Sequence, residues 1–426
     1  MARSSAANPG REAQSAIYRD GATGRRPKVP TSWAGLERAA QRAMSRDTWA
    51  YIAGSSGSET TAANNRRALD AWQIVPRMLR DVSQRDLSID LFGHRYPAPL
   101  LAAPVGVLEL AHPDADLGIA RAAAALGVPS VLSSQASVPM ERVAEAVGDA
   151  PRWFQLYWSS NDDLVASFVR RAEASGAQAI VVTLDTHMLG WRPRDLDAAF
   201  LPFIHGQGIA QYTSDPVFRE LVAVRVASPA PPGPRPRVTP AAIRTLLDMT
   251  RNYPGGSLRS PEPRAAVETF LDVFSRSSLT WENLTFLREH TSLPILLKGI
   301  QHPDDAALAL EHGVDGIIVS NHAGRQIDGA IGSLDALPAI VERVAGRVPV
   351  LFDSGVRSGS DALKALALGA TAVLVGRAYV YGLAIDGARG AEAVLRNLIA
   401  ELDLVLGLSG HRSVAELTPA SLVRRR

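Results

Sequence analysis

The feature that most constrains the fold of this chain is a series of eight short apolar runs, which alternate with longer segments of helical periodicity. Short apolar runs bounded by turn residues are typical of buried parallel strands, and their alternation with helices predicts an α/β fold, a (β/α)8 TIM barrel. In chain order the runs are Pro99–Gly106, Pro129–Ser134, Trp153–Tyr157, Ala179–Asp185, Pro294–Gly299, Gly316–His322, Val348–Ser354 and Ala372–Arg377.

Polar side chains gather at the carboxyl ends of these runs rather than being scattered over both ends. In a barrel of parallel strands all the carboxyl ends meet at one face, and that face carries the active site in barrels of this kind. The sequence therefore predicts a polar site there. The residues concerned are Ser133, Gln155, Tyr157, Thr183, Asp185, Lys298, Ser320, His322, Asp353 and Arg377.

The sixth run leads into His322 and Arg325, which are separated by only two residues. Histidine titrates near neutral pH and can accept a proton, whereas arginine stays charged and offers a planar fork of donors that suits a carboxylate. The pair predicts proton abstraction next to an acid group. The same short pattern also fits a solvated loop histidine and a surface arginine, and only the other polar strand ends favour the catalytic interpretation.

The seventh and eighth runs end in two segments that predict a phosphate site, 353–357 (DSGVR) and 376–377 (GR). Glycines let the backbone amides approach an anion closely, and arginine side chains add bidentate donors. Neither segment resembles a dinucleotide-binding GxGxxG motif or a Walker loop, so a mononucleotide cofactor is favoured. Lys298 would then place a positive charge beside the cofactor ring, where it would stabilise an anionic reduced form.

Composition excludes several other functions. The chain of 426 residues contains no cysteine, which removes disulfides, thiolate metal sites and a thiol nucleophile. Its 45 lysines and arginines against 43 acidic residues give a net charge of +2, so nucleic acid is not an implied partner. No apolar run approaches the ~18 residues that suggest a membrane span. We expect no membrane partner, no metal and a cytoplasmic location.

The chain outside the eight runs is predicted to form extensions of one barrel. Residues 1–30 lack an apolar segment of the length a secretory signal needs and are expected to be a disordered tail, with a single domain over 31–426. Helical spacing after Thr31 predicts an N-terminal helical extension that carries Tyr51, either as a packing residue or as a site residue. The long interval between strands four and five, about 205–280, is expected to be a lid or insertion; it contains a Pro-rich run, 229–237, and whether 230–264 is ordered is left open.

Six motifs in one order, within residues 31–417, resemble the FMN-dependent α-hydroxy acid oxidases and dehydrogenases, and among them most resemble the lactate 2-monooxygenases. The motifs are WFQLY, TLDTHMLGWRPRDL, LPILLKGIQHPDDA, VSNHAGRQIDG, LFDSGVRSG and LSGHRS. The resemblance implies that His322 takes a proton from the substrate, either from the α-carbon or from the hydroxyl as hydride leaves, and that Asp185 stabilises the protonated imidazole. The implied substrate-binding residues are Tyr51, Tyr157, Arg192, His322 and Arg325.

The resemblance also implies FMN as the cofactor and assigns residues to it. Ala103, Pro104, Val105 and Gly106 would pass along the face of the flavin. The residues implied around the ring and ribityl chain are Ser133, Gln155, Thr183, Lys298 and Ser320, and those implied near the ribityl and phosphate groups are Asp353, Gly355, Arg357, Gly376 and Arg377.

Three residues depart from the pattern common among the oxidases of this family. Ala323 replaces the first glycine of the HGGRQ or HGARQ motif, and Gln135 stands where an aromatic residue is frequent. Gly106 stands where the oxidases commonly have alanine, whereas the monooxygenases resemble this chain in having glycine. The glycine at position 106 favours oxidation of L-lactate by O2 to acetate, CO2 and water, whereas Ala323 could shift the base and Gln135 leaves the substrate preference open.

Other functions remain open at this stage. One is an oxidase that releases a keto acid and H2O2, and another is a dehydrogenase that passes electrons to a quinone or a protein. A third is a non-enzymatic flavin-binding barrel, which the full set of polar residues disfavours. A homo-oligomer, a tetramer or octamer, is implied by the resemblance alone.

Overall fold

The computed structural model describes residues 8–228 and 238–425, and its centre is a closed barrel of eight parallel strands. Each predicted apolar run contains one barrel strand, and the last strand pairs with the first, so the predicted TIM barrel is confirmed. The barrel strands run in chain order from β4 (Leu100–Ala102) to β11 (Ala372–Val375). Outside the barrel, two-stranded antiparallel sheets are formed by β1 (Trp72–Ile74) with β12 (Leu422–Arg424) and by β2 (Ile89–Leu91) with β3 (His94–Tyr96). The strands are β1 Trp72–Ile74, β2 Ile89–Leu91, β3 His94–Tyr96, β4 Leu100–Ala102, β5 Ser130–Ser133, β6 Arg152–Leu156, β7 Ile180–Thr183, β8 Ile295–Ile300, β9 Gly316–Val319, β10 Val350–Phe352, β11 Ala372–Val375 and β12 Leu422–Arg424.

The register of the barrel strands brings polar strand ends together. Ser133 at the end of β5 lies opposite Gln155 on β6, and Thr183 at the end of β7 lies opposite Lys298 on β8. Most of the residues that precede these polar ends are apolar and almost completely buried, such as Trp153, Phe154, Val182 and Leu297, so the core holds each strand. The carboxyl face of the barrel therefore collects side chains from strands that are far apart in sequence.

Helices surround the barrel, and a helical extension at the amino terminus closes part of its carboxyl face. The extension comprises α1 to α4, and α17 is the longest helix. The helices are α1 Pro9–Ala22, α2 Trp33–Ala43, α3 Arg46–Ala53, α4 Thr60–Asp70, α5 Ala115–Ala125, α6 Met140–Val147, α7 Asp162–Ala174, α8 Pro193–Asp197, α9 Ala210–Thr213, α10 Pro216–Ala227, α11 Pro240–Asn252, α12 Glu262–Val273, α13 Asn283–His290, α14 Pro303–Glu311, α15 Ser333–Val344, α16 Gly359–Ala367 and α17 Arg377–Leu408. No helix in the described part of the chain is long and apolar enough to cross a membrane.

The amino-terminal segment differs from the disordered tail expected over residues 1–30, because residues 9–22 form helix α1. This helix packs on α17, and the amide of Gly10 donates a hydrogen bond to Asp403 Oδ2 at 3.1 Å. A side chain at position 10 would lie 2.5 Å from Leu404 Cγ, so glycine permits the close approach. The contact joins residues almost 400 positions apart, which local sequence cannot reveal. Residues 1–7 lie outside the described residues.

In the described parts of the long interval between β7 and β8, the chain forms helices α8 to α13. Tyr212, Phe218 and Phe270 from this interval are completely buried, and Tyr212 packs against Phe168 of α7 with ring centroids 4.9 Å apart. Helix α11 is more exposed, and the Pro-rich run 229–237 lies outside the described residues. Residues 202–213 thus pack on the barrel and bring Phe203 to the cavity described below.

Candidate active site

A cavity of about 500 Å³ lies at the carboxyl face of the barrel and brings most of the predicted site residues together. The other predicted residues adjoin the lining: Asp185 contacts His322, Ser320 contacts Lys298, and Thr183 pairs with Lys298 along the strands. The predicted residues that line the cavity are Tyr51, Ala103, Pro104, Val105, Gly106, Tyr157, Arg192, Lys298, His322, Arg325, Asp353, Gly355, Arg357, Gly376 and Arg377.

His322 and Asp185 form a buried pair in the wall of the cavity. The distance between His322 Nδ1 and Asp185 Oδ1 is 2.7 Å, and the hydroxyl of Thr186 donates to the same carboxylate oxygen at 3.2 Å. Burial raises the pKa of Asp185, but the charges of His322 and Lys298 outweigh burial and hold this pKa at about 2. The carboxylate is therefore ionised at neutral pH and can stabilise a positive charge on the imidazole.

The His322 imidazole is placed to accept a proton from a ligand in the cavity. Because the Asp185 carboxylate only accepts hydrogen bonds, Nδ1 carries the proton and Nε2 keeps its lone pair. Burial lowers the pKa of His322, the Asp185 charge raises it, and the Lys298 charge lowers it, with a net decrease from the ordinary value. The imidazole is therefore neutral near pH 7, which is the form that a general base requires.

The backbone that carries His322 is strained and braced. His322 and Ala323 have φ angles of 54° and 55°, in the left-handed region that favours glycine. The Ser354 hydroxyl accepts hydrogen bonds from the amides of Asn321 and Ala323, at 3.3 and 3.0 Å. The glycine that the family commonly has at position 323 would adopt this conformation without strain, so the alanine noted in the sequence adds strain beside the base.

Arg325 provides a carboxylate-binding fork. Its Nη1 donates to the carbonyl oxygens of Tyr51 and Gly54, at 2.7 and 2.8 Å, and its guanidinium lies 5.2 Å from the centroid of the Tyr51 ring. These bonds leave Nε and Nη2 available for a planar anion. Burial, followed by the charge of Arg192, lowers the pKa of Arg325 to about 9. A bound carboxylate would compensate this excess of buried positive charge.

Arg192, expected as the second cation for the substrate, is held tightly by the neighbouring loop. Its Nε donates to the carbonyl oxygen of Arg325 at 3.1 Å, and its Nη2 donates to Gln326 Oε1 at 2.8 Å. Asp195 lies 3.8 Å from Nη1. Arg192 therefore supports the Arg325 segment and contributes positive potential to the cavity.

Buried polar groups next to the cavity fit the ring of a flavin. Gln155 Nε2 and Thr183 Oγ1 are buried and have no hydrogen-bond partner among the described residues. Buried polar atoms in native proteins are almost always paired, so these two atoms indicate a missing polar ligand. The carbonyl and N–H groups along the edge of a flavin ring would supply the partners, and Ser133, which donates to Gln155 Oε1 at 2.9 Å, orients the amide.

Lys298 is buried but charged. Its Nζ donates to Ser320 Oγ at 2.9 Å and lies 3.2 Å from Asp353 Oδ2. Burial lowers the pKa of Lys298, but the carboxylates of Asp353 and Asp185 raise it further, so the net pKa lies above the ordinary value. This fixed positive charge adjoins the place where the unpaired ring-binding groups gather.

The two arginines predicted for the phosphate differ in their surroundings. Arg357 lies over the ring of Trp33, with its guanidinium carbon 4.6 Å from the centroid. Arg377 instead caps the carboxyl end of α3: it donates to Ile52 O at 3.1 Å, to Gly54 O at 2.8 Å and to Ser55 Oγ at 3.0 Å. A fourth bond to Ala323 O, at 3.3 Å, leaves Arg377 one side-chain N–H for another ligand.

Several cavity residues were not singled out in the sequence. Helices α2, α3 and α17 contribute an aromatic wall, in which the rings of Trp33 and Trp49 lie 5.5 and 5.4 Å from the ring of Tyr381. Glu59 and Arg194 also line the cavity and form an ion pair of 2.6 Å. The tryptophans occur in helical patterns that are equally typical of a core, so the sequence carries no signal that separates the two roles.

Comparisons with known proteins agree with this geometry. Residues 40–424 match the FMN-dependent dehydrogenase family. The chain is 43% identical over 395 residues to an L-lactate oxidase of Lysinibacillus sphaericus, with 93% of each chain covered. It is 37% identical over 393 residues to human 2-hydroxyacid oxidase 1, with 91% of this chain and 95% of the relative covered. A solved structure of mandelate oxidase with (S)-4-hydroxymandelic acid is 36% identical, with a TM-score of 0.76 and coverage of 93% and 99%.

The cofactor and the class of reaction follow from the family and the site together. FMN is the cofactor, and the enzyme oxidises a 2-hydroxy acid. The buried His322–Asp185 pair, the Arg325 guanidinium, and the Gln155 and Thr183 atoms that have no partner among the described residues all lie at one face of the barrel, where this reaction would use them. The chain belongs to the family of FMN-dependent α-hydroxy acid oxidases and dehydrogenases.

Proposed function

We propose that the protein oxidises L-lactate with O2 to acetate, CO2 and water. The observation that carries the proposal is the His322–Asp185 pair, 2.7 Å apart, in the cavity that also contains the free fork of Arg325. The L-lactate oxidase of Lysinibacillus sphaericus supports a short substrate, and Gly106 supports the monooxygenase outcome.

Substrate binding would be set by charge and by two tyrosines. The substrate carboxylate pairs with Nε and Nη2 of Arg325, while Arg192 adds positive potential. Tyr51 and Tyr157 line the same cavity, and their hydroxyls would hydrogen-bond the carboxylate and the 2-hydroxyl group. Burial raises the pKa of Tyr157 to about 12, so its hydroxyl stays protonated and can donate a hydrogen bond.

Proton removal would be the task of His322. Its neutral Nε2 accepts a proton from the bound acid, and Asp185 stabilises the imidazolium that forms. FMN supplies the acceptor for the two electrons that leave the substrate. Lys298, buried and positively charged beside the cofactor site, stabilises negative charge there.

The monooxygenase outcome requires pyruvate and hydrogen peroxide to meet before either leaves the cavity. Peroxide attacks the keto carbon, the bond between carbons 1 and 2 breaks, and acetate, CO2 and water result. Phe203, from the segment 202–213, lines one side of the cavity, and in the same segment the amide of Gly208 donates to Glu109 Oε1 at 2.9 Å. A methyl at Gly106 would lie 3.0 Å from Gln135 Cβ, so the space available at Gly106 depends on Gln135 as well.

The experiment that tests the proposal is a product balance. Purified yellow protein receives L-lactate in air without catalase, and acetate is quantified against pyruvate plus H2O2. Acetate that still forms when excess catalase is added supports the monooxygenase, whereas equal amounts of pyruvate and H2O2 without catalase would make the protein an oxidase. Reduced flavin that persists in air would instead favour a dehydrogenase with a quinone or protein acceptor.

A further inference from the structure

Gln135 carries a side-chain amide that has no hydrogen-bond partner in the described part of the protein. The residue is 8% exposed and lines the active-site cavity. Its backbone is fixed on both sides: its amide donates to Ser133 Oγ at 3.1 Å, and its carbonyl accepts from Val107 N at 2.9 Å. Among residues 8–228 and 238–425, neither Oε1 nor Nε2 of Gln135 has a hydrogen-bond partner. The backbone of Gln135 is therefore held in place, and its carboxamide is available to a ligand in the cavity.

The position of Gln135 places its amide at the active-site cavity rather than in the hydrophobic core. Gln135 follows β5, between the Gly106 end of β4 and the Tyr157 end of β6. A Cβ built at Gly106 would lie 3.5 Å from Gln135 Oε1, so the missing side chain at Gly106 leaves the amide accessible from the cavity. The cavity also contains His322, so the base and the amide face the same space.

We propose that Gln135 determines specificity and that its carboxamide recognises a hydrogen-bonding substituent on carbon 3 of the substrate. The short L-2-hydroxy acids that the site accepts would then include L-lactate and also acids with a polar carbon 3, such as 2,3-dihydroxypropanoate (glycerate), which the amide binds more tightly. The methyl of lactate leaves the amide unpaired, whereas a hydroxymethyl group donates to Oε1 or accepts from Nε2. A site with a buried polar group discriminates strongly against analogues that cannot pair with it. This inference rests on the proposed oxidation of a short L-2-hydroxy acid.

The test compares two substrates of nearly equal size, L-glycerate and L-2-hydroxybutanoate, which differ by a hydroxyl against a methyl. Flavin reduction is followed anaerobically by stopped flow, so the fate of oxygen does not enter, and saturation separates the dissociation constant from the reduction rate. We expect the wild type to favour glycerate by about tenfold, mainly through the dissociation constant, as is typical for one hydrogen bond. In Gln135→Leu the preference should fall to about twofold or less, or reverse.

A matched control separates the loss of substrate recognition from the general effect of replacing a glutamine by leucine. Gln301 also has a buried amide nitrogen without a partner in the described residues, but it does not line the cavity. Gln301→Leu should keep the wild-type preference for glycerate. If Gln135→Leu loses the flavin, Gln135→Ala provides the same comparison.

Two different failures can be told apart. The role of Gln135 is overturned if the wild type reduces its flavin equally well with glycerate and 2-hydroxybutanoate. It is also overturned if Gln135→Leu and Gln135→Ala leave the preference for glycerate unchanged. Absence of flavin reduction by glycerate, 2-hydroxybutanoate and L-lactate alike would instead overturn the proposed function.

Discussion

Replacing Asp185 by asparagine tests the buried ion pair that the mechanism requires. Asparagine keeps the shape of the side chain and can still accept a hydrogen bond from His322 Nδ1, so the main change is the loss of one negative charge. In the resting enzyme His322 is neutral and tolerates this loss. In the transition state the imidazole gains a proton, and its positive charge then lies buried without a counterion 2.7 Å away.

The distance sets the size of the effect. Two unit charges 2.7 Å apart attract by about 6 kcal/mol at an effective dielectric constant of 20. Part of this energy is retained by the remaining hydrogen bond, and removing one partner of a buried pair typically costs about 3–5 kcal/mol. Since about 1.4 kcal/mol corresponds to one power of ten, flavin reduction should slow by about 10²- to 10⁴-fold.

The assay is anaerobic stopped-flow reduction of the bound flavin by L-lactate. Asp215→Asn is the matched control, because Asp215 is a buried carboxylate paired with Arg171 at 2.9 Å and lies outside the cavity. The control should lower the unfolding temperature and leave the reduction rate within about threefold of wild type, since its lost ion pair does not face the reacting atoms. A reduction rate in Asp185→Asn that matches this control would refute the role of Asp185.

Three further predictions concern the same site. The ratio of the reduction rate to the dissociation constant should fall as the pH drops through the pKa of His322, which lies below its ordinary value of 6.5. Asp185→Asn should move this decrease to still lower pH, and a decrease that begins above pH 6.5 and is centred there would contradict the assignment of His322. Arg325→Met should weaken L-lactate binding by about 10- to 100-fold, as for loss of a charged hydrogen bond, whereas an unchanged dissociation constant would exclude the carboxylate role. Ala323→Gly should relieve the positive φ and stabilise the protein by about 1 kcal/mol in urea unfolding, and destabilisation would show that the alanine is not strained.

The barrel was predictable because its signals are local. Each apolar run is short, continuous and followed by polar residues, and Ser133, Thr183 and Asp185 follow buried strands as the pattern indicates. Because all the parallel strands of a barrel end at the same face, these strand ends can be predicted to lie together before any contact between them is known.

The parts that the sequence could not predict depend on contacts between distant residues. Residues 1–30, which include helix α1, were expected to be a disordered tail. The contact of this helix with Asp403 forms only in the folded chain, so the local sequence could not reveal it. Arg377 was predicted at the phosphate, and no local pattern indicates that its guanidinium caps α3. For Gln135 the sequence showed only an unusual residue; that its amide is unpaired and accessible became clear from the cavity.

The most direct test of the proposed reaction supplies L-lactate and ¹⁸O2 to the purified enzyme with excess catalase. Catalase destroys any peroxide that leaves the cavity, so acetate can form only if the keto acid reacts before release. The account predicts acetate that carries one ¹⁸O atom in an amount close to the lactate consumed. Unlabelled pyruvate with little or no acetate would contradict it.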